Sequence, residues 1–121
     1  MKSQKIIFGK EGEETAVKYL KKRGYKIIEN NWRCHMGEID IIARHKDDTV
    51  FIEVKTRTDA GLGAPQESVD QRKQKKIIKS ALTYIQCKNL EGQNFRFDVI
   101  AIDFSSGKQE IILFQDAFQC S

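Results

Sequence analysis

Two strongly apolar, strand-like segments joined by four polar residues constrain this chain more than anything else in it. Residues 37–44 read GEIDIIAR and residues 49–55 read TVFIEVK, with His45, Lys46, Asp47 and Asp48 between them. Both segments are rich in β-branched residues, and a connection of that length predicts an antiparallel hairpin. Each nevertheless carries charge in its interior. Alternate residues of a strand share a face, so Phe51, Glu53 and Lys55 lie opposite Val50, Ile52 and Val54. By the same rule Glu38, Asp40, Ile42 and Arg44 lie opposite Ile39, Ile41 and Ala43. Asp40 and Glu53 therefore stand among residues that should form a core. Glu38, at the start of its strand, is expected in solvent.

The flanking sequence supplies helices to cover such a hairpin. Residues 10–23 predict a first helix ended by Gly24, with Ala16, Val17 and Leu20 as its buried stripe and Glu13 on that same stripe. Residues 25–28 predict a short strand, and Asn30-Asn31 a turn. After a loop of small residues at 58–65, a long helix is expected over 68–87, with Ser68 and Gln71 as an S-x-x-Q capping box. Its buried stripe is predicted as Ile78, Ala81, Leu82 and Ile85, extending back to Gln74 and Gln71. Strands at 95–103 and 110–114, with a turn at 105–107, complete the order α-β-β-β-α-β-β. That order predicts an α/β domain spanning residues 1–121, a mixed sheet flanked by helices.

Composition narrows the function classes. No apolar run approaches the roughly 20 residues a membrane-spanning helix needs. The basic start is followed by an apolar stretch too short for a secretory signal, so a cytoplasmic location without membrane contact is expected. The three cysteines, Cys34, Cys87 and Cys120, are scattered and form no C-x-x-C pair, which points away from a disulfide framework or a zinc knuckle. Gly61 and Gly63 do not form a phosphate-cradling Walker loop. A net charge of +4 tolerates a polyanionic partner without demonstrating one. Between residues 70 and 88 the only acid is Asp70, against Arg72, Lys73, Lys75, Lys76, Lys79 and Lys88. A second basic cluster comprises Lys18, Lys21, Lys22, Arg23 and Lys26. On charge alone, solvated helix faces are the favoured account of both clusters.

Burying an unpaired carboxylate costs several kcal/mol, so converging acids need a strong partner. Two solutions stay open at this point. The acids can pair with Lys55 and Arg44 in a structural network, or they can hold a divalent cation. A Mg²⁺ site uses one or two carboxylates, a carbonyl and waters, which Asp40, Glu53 and the Val54 carbonyl can supply. Lys55 would then stand beside the ion, placed to handle a proton or to stabilise negative charge on a phosphate. Gln74 can orient phosphate or water, or simply bond the backbone. Trp32 and Phe51 are expected in core packing, and Arg96 with Asp98 as a structural pair.

Asp40, followed after twelve residues by Glu53-Val54-Lys55, resembles the D…(D/E)-x-K signature of the PD-(D/E)xK nuclease superfamily. More closely, nearly the whole chain resembles the YraN-like family of small bacterial nuclease-like proteins. The resemblance rests on Gly9-x-x-Gly12-Glu13, Ala16, Tyr19-Leu20, Gly24-Tyr25, Asn31, Gly37-Glu38-Ile39-Asp40, Phe51-x-Glu53-Val54-Lys55-x-Arg57, Lys73-Gln74, Ala81 and Arg96-Phe97-Asp98-Val99. That family is similar to archaeal Holliday-junction resolvases. The resemblance implies a restriction-endonuclease-like fold and a site of Glu13, Asp40, Glu53 and Lys55, to which the inward position of Gln74 adds a further catalytic candidate. It also implies Mg²⁺ or Mn²⁺ as cofactor and nucleic acid, DNA in the first instance, as partner. Arg57, Arg72, Lys73, Lys76 and Lys79 are the expected phosphate contacts, and a homodimer would suit enzymes that cut junctions in pairs. Ile39 replaces the proline of the superfamily signature, which ligates nothing. The Gln-x-x-x-Tyr element of some recombination nucleases is missing, since Ile78 follows Gln74, which argues against the exonuclease branch. The alternative expectation is a nucleic-acid-binding or adaptor module that keeps the fold without catalysis.

Overall fold

A computed structural model describes residues 4–57, 69–104 and 107–120. Among the described residues seven elements follow in the expected order: α1 (Gln4–Lys22), β1 (Lys26–Cys34), β2 (Gly37–His45), β3 (Asp48–Arg57), α2 (Gln71–Cys87), β4 (Phe95–Asp103) and β5 (Glu110–Phe118). The five strands form one sheet in sequence order. Every neighbouring pair is antiparallel except β3 and β4, which run parallel. A parallel pair cannot be joined by a tight turn, and α2 lies in the crossover between them. The result is a mixed α/β sheet flanked by two helices, consistent with a restriction-endonuclease-like fold. No helix among the described residues is long and apolar enough to cross a membrane.

Strand alternation divides the core in two. On one face Ile42, Phe51, Phe97 and Val99 pack with Ile77, Ala81, Tyr84 and Ile85 of α2. On the other, Ile41, Ala43, Val50, Ile52, Ile100 and Ile102 pack with Ala16 and Leu20 of α1. Gly12 allows α1 to approach β3 closely, because a methyl group in its place would collide with the Thr56 side chain. Phe51 is fully buried, as expected, and Trp32 is half-buried with its ring edge-on to Tyr84 at 5.2 Å.

Several local expectations are corrected. Asn30-Asn31 is no turn: both lie within β1, where Asn31 takes a left-handed φ of 53° that its short polar side chain tolerates. The described start of α2 is Gln71, capped by Asp70, whose carboxylate accepts the Lys73 N–H at 2.9 Å. Ser68, the expected cap, lies outside the described residues, as do the loop at 58–65 and the first two residues of the turn at 105–107. The buried stripe of α2 is Ile77, Ser80, Ala81, Tyr84 and Ile85, whereas Leu82 is 47% exposed and Ile78 only half-buried. Ile39 leaves the face of Ile41 and joins the α2-side core. The last strand runs on to Phe118, past Asp116 at φ 51°.

Arg96 and Asp98 form the expected structural pair, with Nε 3.0 Å from Oδ1. Asp98 is wholly buried and also accepts the Tyr25 hydroxyl at 2.7 Å and the Asp116 N–H at 2.9 Å. Arg96 further reaches Asp48 at 2.8 Å and His45 Nδ1 at 2.7 Å. This network ties together the β2–β3 hairpin and the starts of β1 and β4.

Candidate metal centre

The β2–β3 ladder pairs His45 with Asp48 at the hairpin and runs to Ile41↔Ile52. One rung further, the same register sets Asp40 opposite Glu53. There the regular pairing stops, and Asp40 Oδ2 accepts the Val54 N–H at 2.8 Å in place of a strand carbonyl. The acid is thus held by its own hydrogen bond at the point where two strands part. Glu53 is 7% exposed, and its carboxyl group lies close enough to act on that of Asp40. Burial first, and then the Glu53 charge, push the Asp40 carboxyl up from 3.8 to about 7; the Val54 N–H pulls the other way and Glu13 adds to the rise. Two adjoining acids that resist joint ionisation form an electron-rich site with an intrinsic demand for positive charge.

Two lysines meet that demand. Lys55 follows Glu53 by two residues on β3 and is half-buried. Burial draws its ammonium below the ordinary lysine range, and the neighbouring Lys73 adds to the effect, against the opposing pull of Glu53 and Asp40. Lys73, in the first turn of α2, places Nζ 2.6 Å from Glu53 Oε1. Burial lowers its affinity for a proton, but the contacts with Glu53 and Lys55 outweigh that and hold it above the usual range. The positive end of the α2 dipole adds to the same field.

The expected site residues are thus partly assembled. Asp40, Glu53 and Lys55 converge. Glu13 stands near enough to act on the Asp40 charge, while its carboxylate accepts from Asn31 Nδ2 at 3.1 Å. Gln74 is half-buried and donates Nε2 to the Val69 carbonyl at 2.9 Å, the backbone alternative. Gln71 is exposed, so the expected inward amide pair is reduced to Gln74 alone. Arg44 does not serve the acids: it bonds Gln93 at 3.2 Å. Arg72, Lys76 and Lys79 are exposed, Arg57 lies half-buried past the end of the site, and Glu38 pairs with Arg33 in solvent.

Lys73, expected as a phosphate contact together with Arg72, Lys76 and Lys79, stands apart from them beside the acids, paired with Glu53. Its signal lay in the helix phase. Anchoring the stripe on Ile77, Ala81 and Tyr84 rather than on Ile78 puts the residue four before Ile77 on the inner face.

The donor set suits a hard cation. Two carboxylates facing each other across neighbouring strands meet the one-or-two-acid requirement of Mg²⁺ or Mn²⁺, and oxygen donors favour these over zinc. No group of three or more His, Cys, Asp and Glu residues converges as metal ligands among the described residues. Beside Glu13, a cleft of about 440 Å³ opens between α1 and β1, lined in part by Lys10, Lys18 and Lys21.

With that geometry in view, comparison with known proteins places the chain. A model of "Uncharacterised protein family UPF0102" matches residues 12–102, a stretch that includes Glu13, Asp40, Glu53, Lys55, Lys73 and Gln74. The chain belongs to this family. UPF0102 is the YraN family that the sequence resembles. A UPF0102 protein of Syntrophus aciditrophicus is 46% identical over 117 residues, covering 97% of this chain and 92% of its own. One from Caldanaerobacter subterraneus is 48% identical over 101 residues, 84% of this chain and 83% of its own. A Clostridium perfringens relative is 44% identical over 121 residues, 98% of this chain and 99% of its own. UPF0102 is uncharacterised, so membership assigns the chain to a family without assigning an activity.

Proposed function

We propose that this chain is a metal-dependent DNA endonuclease that hydrolyses phosphodiester bonds, with Asp40 and Glu53 holding Mg²⁺ or Mn²⁺. The observation that carries the reading is the placement of two carboxyl groups at facing positions of the neighbouring strands β2 and β3, with Lys55 and Lys73 beside them. A structural ion network needs no second acid whose ionisation the first opposes; a cation site does. When bound, the ion supplies charge neutralisation at the phosphoryl oxygens and lowers the pKa of a coordinated water.

The chain's own residues do the rest. Asp40 is oriented by the Val54 N–H, which points one carboxylate oxygen and leaves the other for coordination. The Val54 carbonyl is the remaining protein donor in this reading. Lys55, with its proton held less firmly than in an ordinary lysine, orients the attacking water and takes or returns a proton during in-line displacement. Lys10, Lys18 and Lys21 along the α1 cleft, with Arg57, Arg72, Lys76 and Lys79, supply phosphate contacts that give affinity without reading sequence. Branched or structured DNA is the preferred substrate by analogy with junction resolvases, which also motivates a homodimer in the cytoplasm.

One observation favours a second reading. Lys73 already neutralises Glu53, as it would in a binding module that keeps the fold without catalysis. Both readings are tested by offering four-way-junction, flap, single-stranded and linear duplex DNA with Mg²⁺, Mn²⁺ or EDTA. Cutting of at least one substrate that requires the metal supports the nuclease. Salt-sensitive binding without any cutting, unchanged by EDTA, would replace it with the binding module.

A further inference from the structure

We propose that Lys73 is a built-in counter-cation of the acid pair, which a divalent ion must displace from Glu53 and which is then free to contact the scissile phosphate. The inference rests on the metal-site reading above and adds a residue to it. Lys73 Nζ sits 2.6 Å from Glu53 Oε1, on the carboxylate that a divalent cation would also use. An ammonium and a divalent ion on one carboxylate repel each other, so binding of the ion opposes the Lys73 contact.

The two ends of this ion pair differ in their freedom. The Glu53 side chain is 8% exposed and fixed in a paired strand, whereas that of Lys73 is 41% exposed. The Lys73 backbone is anchored, since its N–H is the donor to the capping Asp70 at 2.9 Å. The flexible stem can therefore swing about a fixed root while the carboxylate stays in place. Charge balance supports the same view. Asp40 and Glu53 against Lys55 and Lys73 bring the site to neutrality when both acids are ionised. An added divalent cation leaves a surplus of two positive charges, which a phosphodiester partly offsets and an unoccupied site does not.

Lys73 is thus a device with two settings. Without metal it supplies the partner that a buried carboxylate requires, since an orphaned buried charge is strongly destabilising. With metal it is released within reach of the phosphate that the ion binds. Lys55 does not share this role, because the ion pair that holds Glu53 is made by Lys73. Partial exposure of Lys73 limits the strength of the pair, and this sets the scale of the competition.

The test is Mn²⁺ titration by calorimetry together with thermal melting of the full chain, comparing wild type, Lys73→Met and Lys73→Gln. Lys73→Gln keeps a hydrogen-bond donor for Glu53 and serves if the methionine variant does not fold. Lys75→Met, which removes the same charge from an exposed position of the same helix, controls for overall electrostatics. The expected result is Mn²⁺ binding about tenfold tighter in the Lys73 variants, the factor that corresponds to 1.4 kcal/mol, against less than about twofold in Lys75→Met. Their melting temperatures should fall below wild type in EDTA, and the deficit should close in saturating Mn²⁺. Equal or weaker binding, or a deficit that persists with metal, overturns the inference while leaving the metal site standing. Absence of Mn²⁺ uptake by every protein overturns the metal site and this inference with it.

Discussion

Replacing Asp40 by Asn should make the metal-free protein more stable above neutrality, although it destroys part of the site. Asn keeps an oxygen for the Val54 N–H and offers an amide that can donate to Glu53, much as the protonated acid does. The Asp40 carboxyl is raised from 3.8 to about 7, by burial first and Glu53 second. A raised carboxyl means that the native state binds more protons than the unfolded chain between those two values. Its contribution to stability is complete below pH 3.8 and is lost as pH climbs through 7. At 1.36 kcal/mol per pKa unit, the part of that loss lying between pH 5 and pH 8 is ~2–3 kcal/mol. The assay is urea unfolding in EDTA at those two pH values, followed by circular dichroism, for wild type and variant. Taking the difference between the two proteins cancels His45, whose proton affinity is lowered by burial and by Arg96 and which responds to pH in the opposite sense. Wild type should lose ~2–3 kcal/mol relative to Asp40→Asn on going from pH 5 to pH 8. Parallel profiles, within about 0.5 kcal/mol, would refute the electrostatic conflict on which the site argument stands.

Two further perturbations probe the frame that positions the site. Gly12→Ala should destabilise by about 1–3 kcal/mol, because the added methyl must displace Thr56 of β3, next to Lys55; chemical denaturation measures it, and an unchanged midpoint would show that α1 can lift from the sheet freely. Arg96→Met should cost about 3–5 kcal/mol by stripping the buried Asp98 of its ion pair, while leaving Mn²⁺ affinity of the folded protein within twofold of wild type, as calorimetry would report.

The fold and the heart of the site were legible for one reason. In β2 and β3 the period-two pattern is strong enough to fix which side chains face inward, so Asp40, Glu53 and Lys55 emerged from alternation alone. The strand 95–103 was read to the residue on the same grounds. Where periodicity was weak, the reading slipped. Asn30-Asn31 carries turn chemistry, yet pairing with β2 holds both in a strand, because ladder hydrogen bonds outweigh local preference. In α2 the apolar residues Ile77, Ile78, Ala81, Leu82, Tyr84 and Ile85 fit two helical phases one residue apart. The phase anchored on Ile78 places Leu82 in the core, where it is not, and leaves Lys73 off the inner face. A one-residue phase error in a helix displaces a side chain by about 100°, enough to move a charge from the surface into the site. The separation of β2 from β3 at Asp40, and the hydrogen bond that uses it, depend on tertiary geometry that no local pattern records.

The most direct test of the account is the rate of Mg²⁺-dependent cleavage of the best DNA substrate by wild type and by Glu53→Gln, both shown to be folded. The account predicts a fall of at least 10³-fold in the variant, on the order of the loss seen when a major electrostatic contributor to a transition state is removed, and no cleavage by wild type in EDTA. Equal rates for the two proteins, or cutting that persists in EDTA, would contradict it.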